Sequence, residues 1–172
     1  MRTSERACAA ATAYLLGLLA SSGISMSQER SKVVDTGVIF SLQQVESSRL
    51  RGSDVTRFFG LAPPFWMPTS EEIALLEGKL KPYLGGATAP AAKVIAIRLG
   101  SYKRQYVGYT AGGKRWIFVN GFCEEIWKES DAWHDGLELV MDGGLCYFTV
   151  RYDVSRSRFK YLQISSTLAG GH

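Results

Sequence analysis

Two spacings of apolar residues divide the chain. Ile73, Leu76, Leu80 and Tyr83 recur every three or four positions, which places them on one side of a helix. Thr69 and Glu72 precede them at the spacing of a capping box, where a hydroxyl accepts from one free amide and a carboxylate from another. The sequence therefore predicts a helix over 69–84, with Glu71 and Glu72 at the positive end of its dipole. Pro82 disturbs its last turn, and Gly85-Gly86 is expected to end it. From Lys93 onward the spacing falls to two. Stretches 94–99, 102–110, 114–122, 137–141, 145–152 and 159–165 read as strands, rich in aromatic and β-branched residues and separated by Gly, Asp or Ser clusters.

Ala111-Gly112-Gly113 suits a hairpin turn, because glycine takes positive φ without steric cost. Residues 154–157 can form another. Along 145–152, alternation puts Cys146, Phe148, Val150 and Tyr152 on one face and Tyr147, Thr149 and Arg151 on the other. Upstream, 33–45 fits a strand or a short helix, and periodicity does not choose between them. The segment 61–68, LAPPFWMP, holds three prolines and reads as an extended connector, its Phe65 and Trp66 folding back as a lid on the core. A helix followed by a run of strands predicts an α+β fold: one amphipathic helix packed on a curved antiparallel sheet, cystatin-like or related.

The N-terminus has a different character. Arg2 and Arg6 flank the start of an apolar run over 7–20, and Ser21, Ser22 and Gly23 follow. That order is the signature of a cleavable secretory leader, here 1–22, with cleavage after Ser22 or Gly23. The run is short of the roughly 20 residues that cross a bilayer as a helix, so a retained anchor is the weaker alternative. The expected organisation is a signal peptide over 1–22, a partly flexible N-terminal segment over 23–60, an α+β core over 61–168 and a tail over 169–172. The expected location is periplasmic or secreted, with no membrane span in the mature chain.

Charge alters this picture little in sum and more in its distribution. Removing the leader takes away two arginines and one glutamate, which lowers the net charge from +4 to +3. Neither value calls for a polyanionic partner. Between 124 and 142, however, stand seven acids and one base, Lys128. Basic residues flank them: Lys103, Arg104, Lys114 and Arg115 before, Arg151, Arg156, Arg158 and Lys160 after. The plain reading is an acidic loop lying against basic strands. The sharper one is a two-signed docking surface built on Glu124, Glu125, Asp131, Arg104 and Arg115.

Cys123 and Cys146 stand at the end of one expected strand and the start of another, with 22 residues between them. In an oxidising compartment they are expected to pair, closing a loop whose entropy is worth about 3 kcal/mol. Two separate thiols are the alternative. A zinc site with His134 lacks a Cys-x-x-Cys pair. His134, beside Asp131 and Asp135, has the makings of a carboxylate-held general base, yet no nucleophile is marked for it, and a structural histidine is the plainer reading. The acids lack the spacing of a calcium loop, and carboxylate pairs for glycoside hydrolysis can be drawn from any acid-rich loop. Tyr102, Lys103, Arg104, Tyr106, Lys114, Arg115 and Trp116 interleave bases with rings as single-strand nucleic-acid binders do. Export and the usual burial of such rings argue against that partner. No cofactor and no metal are expected.

Three segments carry a resemblance: SYKRQYVGYTAGGKRWIFVNGFC over 101–123, VMDGGLCYFTVRYDVSRSRFKYLQ over 140–163 and PFWMPTSEEIALLEGKLKPYL over 64–84. They resemble segments of small exported bacterial proteins that carry no assigned activity. The resemblance covers a little under half of the mature chain, and it implies an envelope or secreted domain with no catalytic residues to transfer. The expected function is a disulfide-stabilised binding domain, an inhibitor or immunity-type partner of another envelope protein. A hydrolase using His134 with Asp131 or Asp135, and a purely structural envelope component, are the alternatives.

Overall fold

The computed structural model describes residues 32–47, 49–50, 53–54, 58–128 and 131–164. The leader, the polar stretch over 25–31, Glu129 and the tail lie outside the described residues. The strands are β1 (Lys32–Val34), β2 (Gly37–Ile39), β3 (Arg49–Leu50), β4 (Ser53–Asp54), β5 (Phe65–Trp66), β6 (Lys103–Ala111), β7 (Lys114–Phe122), β8 (Tyr147–Asp153) and β9 (Arg158–Ile164). The helices are α1 (Leu42–Ser47), α2 (Ser70–Gly86), α3 (Pro90–Arg98) and α4 (Glu124–Trp127).

The fold is α+β, built on an open and mostly antiparallel sheet in the order β1-β2-β6-β7-β8-β9. β5 pairs beside the far end of β6, and β3 and β4 form a separate small ladder. The one parallel pair is β2 with β6, which puts Gly37 opposite Arg104. The chain reaches β6 from β2 through α2 and α3. Gly112 and Gly113, both at positive φ, make the tight turn between β6 and β7.

Strands β6 to β8 are apolar on both faces, so the sheet is covered twice. On one side Ile73, Leu76, Leu80 and Leu84 of α2 and Ala92, Ile95 and Ala96 of α3 pack on Tyr106, Ile117, Val119, Phe148 and Val150. On the other, Val45, Leu61, Trp133 and Leu137 pack on Val107, Phe118, Phe122 and Tyr147. The second cover comes from α1, the 58–61 segment and the long excursion between β7 and β8. Close packing leaves no room at Gly121, where a Cβ would lie 2.3 Å from the Phe148 ring.

The capping box is present: Glu72 N donates to Thr69 Oγ1 (3.2 Å) and Thr69 N donates to Glu72 Oε2 (3.0 Å). α2 runs through Pro82 to Gly86, two residues past its expected end. Two expectations need correction. Residues 94–99 are not a strand; they belong to α3 and its 3-10 extension, Leu99–Ser101. Pro90 occupies the first turn and Ala92, Ile95, Ala96 and Leu99 bury one helical side, whereas the VIAI run alone fits a strand equally well. Two helices therefore cover that face instead of one. Residues 137–141 form no strand; in their midst the Glu138 amide and carbonyl are bonded by side chains, Gln105 and Asn120, rather than by a ladder. Phe65 and Trp66 fold back on the core as expected, and do so as a short edge strand opposite Tyr109 and Gly108. The open choice at 33–45 resolves into both alternatives, since β1 and β2 precede α1.

One polar network ties the helix layer to the sheet. Arg104, 4% exposed, donates from Nε and Nη2 to the two Glu77 carboxylate oxygens (2.9 and 2.7 Å). Its Nη1 donates to the carbonyls of Leu99 (3.1 Å) and Tyr102 (2.9 Å). The Tyr106 hydroxyl donates to Glu77 Oε1 (2.9 Å) and lies 2.7 Å from Thr36 Oγ1. Burial, and then the Glu77 charge, push the Tyr106 phenol well above its ordinary range. Removing one partner leaves the other charge buried and alone. Glu77→Ala is therefore expected to cost about 3–5 kcal/mol in urea unfolding, and the Glu77→Leu/Arg104→Met double variant to recover most of it.

Candidate binding cleft and the charged surface

Cys123, buried at the end of β7, and Cys146, half-buried before β8, form a disulfide with an S–S distance of 2.09 Å. It closes the base of the acidic excursion, and Cys123 N donates to Cys146 O beside it (3.0 Å). Glu125 Oε2 lies 2.5 Å from Cys123 Sγ and 3.4 Å from Cys146 Sγ. These three residues are the one group with metal-ligand proximity among those described, but sulfurs bonded to each other are not thiolate ligands. The alternatives of free thiols and of zinc with His134 therefore do not describe this state of the chain.

Two buried amides hold the excursion on the sheet. Gln105 Nε2 donates to the carbonyls of Trp133 (2.6 Å) and Gly136 (2.8 Å). Its Oε1 accepts from Asn120 Nδ2 (2.8 Å) and from Glu138 N (2.9 Å), while Asn120 Nδ2 also donates to Glu138 O (2.7 Å). Gln105 and Asn120 are cross-strand partners on β6 and β7. They thus supply, from side chains, bonds that a neighbouring strand would have given to 133–138. This pair was missed in the sequence, although two amides at alternating positions in apolar strands were its signal.

The candidate charged surface is largely neutralised within the chain. Arg104 is committed to Glu77 beneath α2 and is not at the surface at all, which corrects its place among the exposed bases. Arg115 bonds Glu72 (3.0 Å) and its guanidinium lies 3.7 Å from the centre of the Trp66 ring. Glu125 pairs with Arg98 (3.5 Å) and Glu124 with Lys128. Asp131 is exposed at the start of a 3-10 turn, Asp131–His134.

His134 ends that turn. Its ring lies on the Trp133 ring, with centroids 3.6 Å apart, and Nδ1 is 3.0 Å from the backbone oxygen of Asp131 rather than from a carboxylate. Asp135 is exposed. The desolvated acid of the excursion is Glu138, whose carboxyl is raised above its usual range by burial.

A cleft of about 530 Å³ opens on the same side of the sheet, between the 58–60 segment, the 139–142 segment and the outer strands β8 and β9. Phe58, Phe59, Leu139, Val140 and Met141 make its apolar walls, and Thr149, Arg151 and Gln163 contribute polar groups. A smaller hollow of about 130 Å³ shares Phe59, Thr149, Arg151 and Gln163 and adds Phe118 and Tyr161. Neither is lined by Asp131, His134 or Asp135. Phe58, Met141 and Tyr161 are 58%, 70% and 61% exposed on this flank.

Two further features mark this flank. Arg151 and Lys160 are direct cross-strand partners, a like-charge pairing that disfavours a sheet by roughly 0.2–1 kcal/mol. Neither forms an ion pair among the described residues. Arg151 Nη2 donates to the Phe59 carbonyl (2.8 Å), and its guanidinium lies 5.7 Å from the Tyr109 ring and 5.6 Å from the Tyr161 ring. The register then shifts: two residues of β8 span the distance of three on β9. In this bulge Tyr161 has φ +56°, a left-handed conformation costing a non-glycine residue about 1–3 kcal/mol. The bulge turns its ring out beside Arg151. Comparison with known proteins finds no matching family model, no matching curated protein and no matching solved structure.

Two stability outcomes follow. Cys123→Ser/Cys146→Ser is expected to lose about 3 kcal/mol in chemical unfolding, from the freed loop. Glu138, with its folded-state pKa raised, favours the fold only when protonated. That contribution is complete below the ordinary carboxylate range and is lost as pH rises through the raised value. Glu138→Gln is thus expected to raise the Tm near neutral pH, with the gain fading in acid; a pH-independent change would show that burial of this carboxyl is not the cause.

Proposed function

We propose that the chain is an exported, disulfide-stabilised binding domain that holds another protein of the envelope through the cleft between 58–60 and 139–142. The observation that carries this reading is the cleft itself: apolar walls, three large exposed side chains on its flank and one arginine on its floor. Such a mix of apolar surface and few oriented polar groups is what ligand and partner sites present. Export is supported by the leader pattern over 1–22 and by the disulfide. Among the described residues no helix is long and apolar enough to cross a membrane. Helices cover one sheet face and the cover of the other is incomplete beside β8 and β9, which leaves that flank to the partner and suits an inhibitor or immunity-type protein. The acids of 124–142 have a more modest part, since Glu124 and Glu125 are paired inside the chain with Lys128 and Arg98.

A photoreactive residue placed at Met141 or Tyr161 is expected to crosslink an envelope protein in the native cell, while one at Lys79 on α2 is not. Equal yields from both faces, or no adduct from either cleft position, would remove the cleft from consideration. Mass spectrometry of the natively produced chain is expected to show loss of the leader and no alkylatable thiol.

A further inference from the structure

We infer that the cleft recognises a partner segment in which an apolar side chain stands next to a carboxylate, and that Arg151 is the group that binds the carboxylate. The inference rests on the cleft being the binding surface and adds the chemistry of what enters it. Three independent features converge on an anion. Arg151 and Lys160 face each other across β8 and β9 with no acid paired to either among the described residues. The guanidinium is also held in place by the Phe59 carbonyl and two tyrosine rings. A fork positioned in this way loses little entropy on binding a planar, two-oxygen anion. Finally, the left-handed Tyr161 is kept at the surface by a bulge, where its ring flanks both the arginine and the hollow; bulges of this kind commonly re-aim a side chain beside a site.

The rest of the cleft selects against a bare or doubly charged anion. Phe58, Phe59, Leu139 and Val140 give no donors from their side chains, and Asp142 stands on the same rim. A phosphoryl group would have to shed the water around two charges against those walls, near a like charge. A single carboxylate with an adjoining apolar body leaves its charge on Arg151 and fills the walls. The cleft volume falls within the range that takes a small ligand.

The test uses the purified disulfide-bonded chain and two probes, acetyl-leucyl-phenylalanine with a free carboxylate and the same dipeptide as its carboxamide. In amide-resolved NMR titrations the acid is expected to shift Arg151, Tyr161 and Gln163 and to bind at least roughly ten-fold more tightly than the carboxamide. Arg151→Gln is expected to abolish that discrimination while leaving carboxamide binding unchanged, and Lys160→Gln to reduce it. Arg151→Lys should restore part of it, a recovery that loss of folding would not show. Equal binding of acid and carboxamide, discrimination that survives Arg151→Gln, or no shift at the cleft with either probe would overturn the inference. Inorganic phosphate matching the acid would overturn it as well. If crosslinks from Met141 and Tyr161 persist while acid and carboxamide bind alike, the binding cleft stands and the carboxylate preference falls.

Discussion

Strands β6, β7 and β8 carry apolar side chains toward both faces, and neither face is stable against water. Every other part of the described chain answers that constraint. α2 and α3 cover one side with leucines, isoleucines and small alanines. The other side is covered by material with little regular structure of its own, α1, the 58–61 segment and the excursion from 124 to 145. An irregular cover carries backbone amides and carbonyls into a buried layer, where each needs a partner. Gln105 and Asn120 provide those partners from inside the sheet, and the disulfide joins the two ends of the excursion covalently. The covering layer is thus held by two amides and a crosslink rather than by a ladder.

Incomplete covering creates the site. The irregular layer reaches the outer strands only at 58–60 and 139–142, and between these the sheet face remains open. Tyr109 and Trp116 are buried there, but Arg151 is only partly so, and Tyr161 stands out from the bulge. The same sheet that requires a second cover therefore stays open where Arg151 and Lys160 face each other, neither in an ion pair among the described residues.

Charge is distributed according to the same logic. The buried Arg104 needs Glu77, since an arginine under a helix without a carboxylate would be costly. Arg115 is shared between Glu72 and the face of Trp66, and so links α2, β5 and β7. These two pairs place charge at the joints between the helix layer and the sheet.

The sequence by itself determined those elements whose signals are local. Thr69 and Glu72 mark the start of α2 because a capping box involves four consecutive residues, and Gly112-Gly113 marks the β6–β7 turn because only positive φ closes it. Alternation assigned Phe148, Val150 and Tyr152 to one face and Tyr147, Thr149 and Arg151 to the other, as the strand geometry requires. The proximity of Cys123 and Cys146 followed from two strands expected to be neighbours. Tertiary structure alone decided the remainder. Residues 94–97 satisfy two periods at once, and only the chance to bury Ala92, Ile95 and Ala96 beside α2 makes them helical. Leu137 is apolar in any conformation; the amides of Gln105 and Asn120, distant in the chain, let it dock without a strand. Whether an arginine is buried against a carboxylate, like Arg104, or half-buried with no ion pair among the described residues, like Arg151, depends on which elements meet across the sheet, and neighbours along the chain carry no record of that.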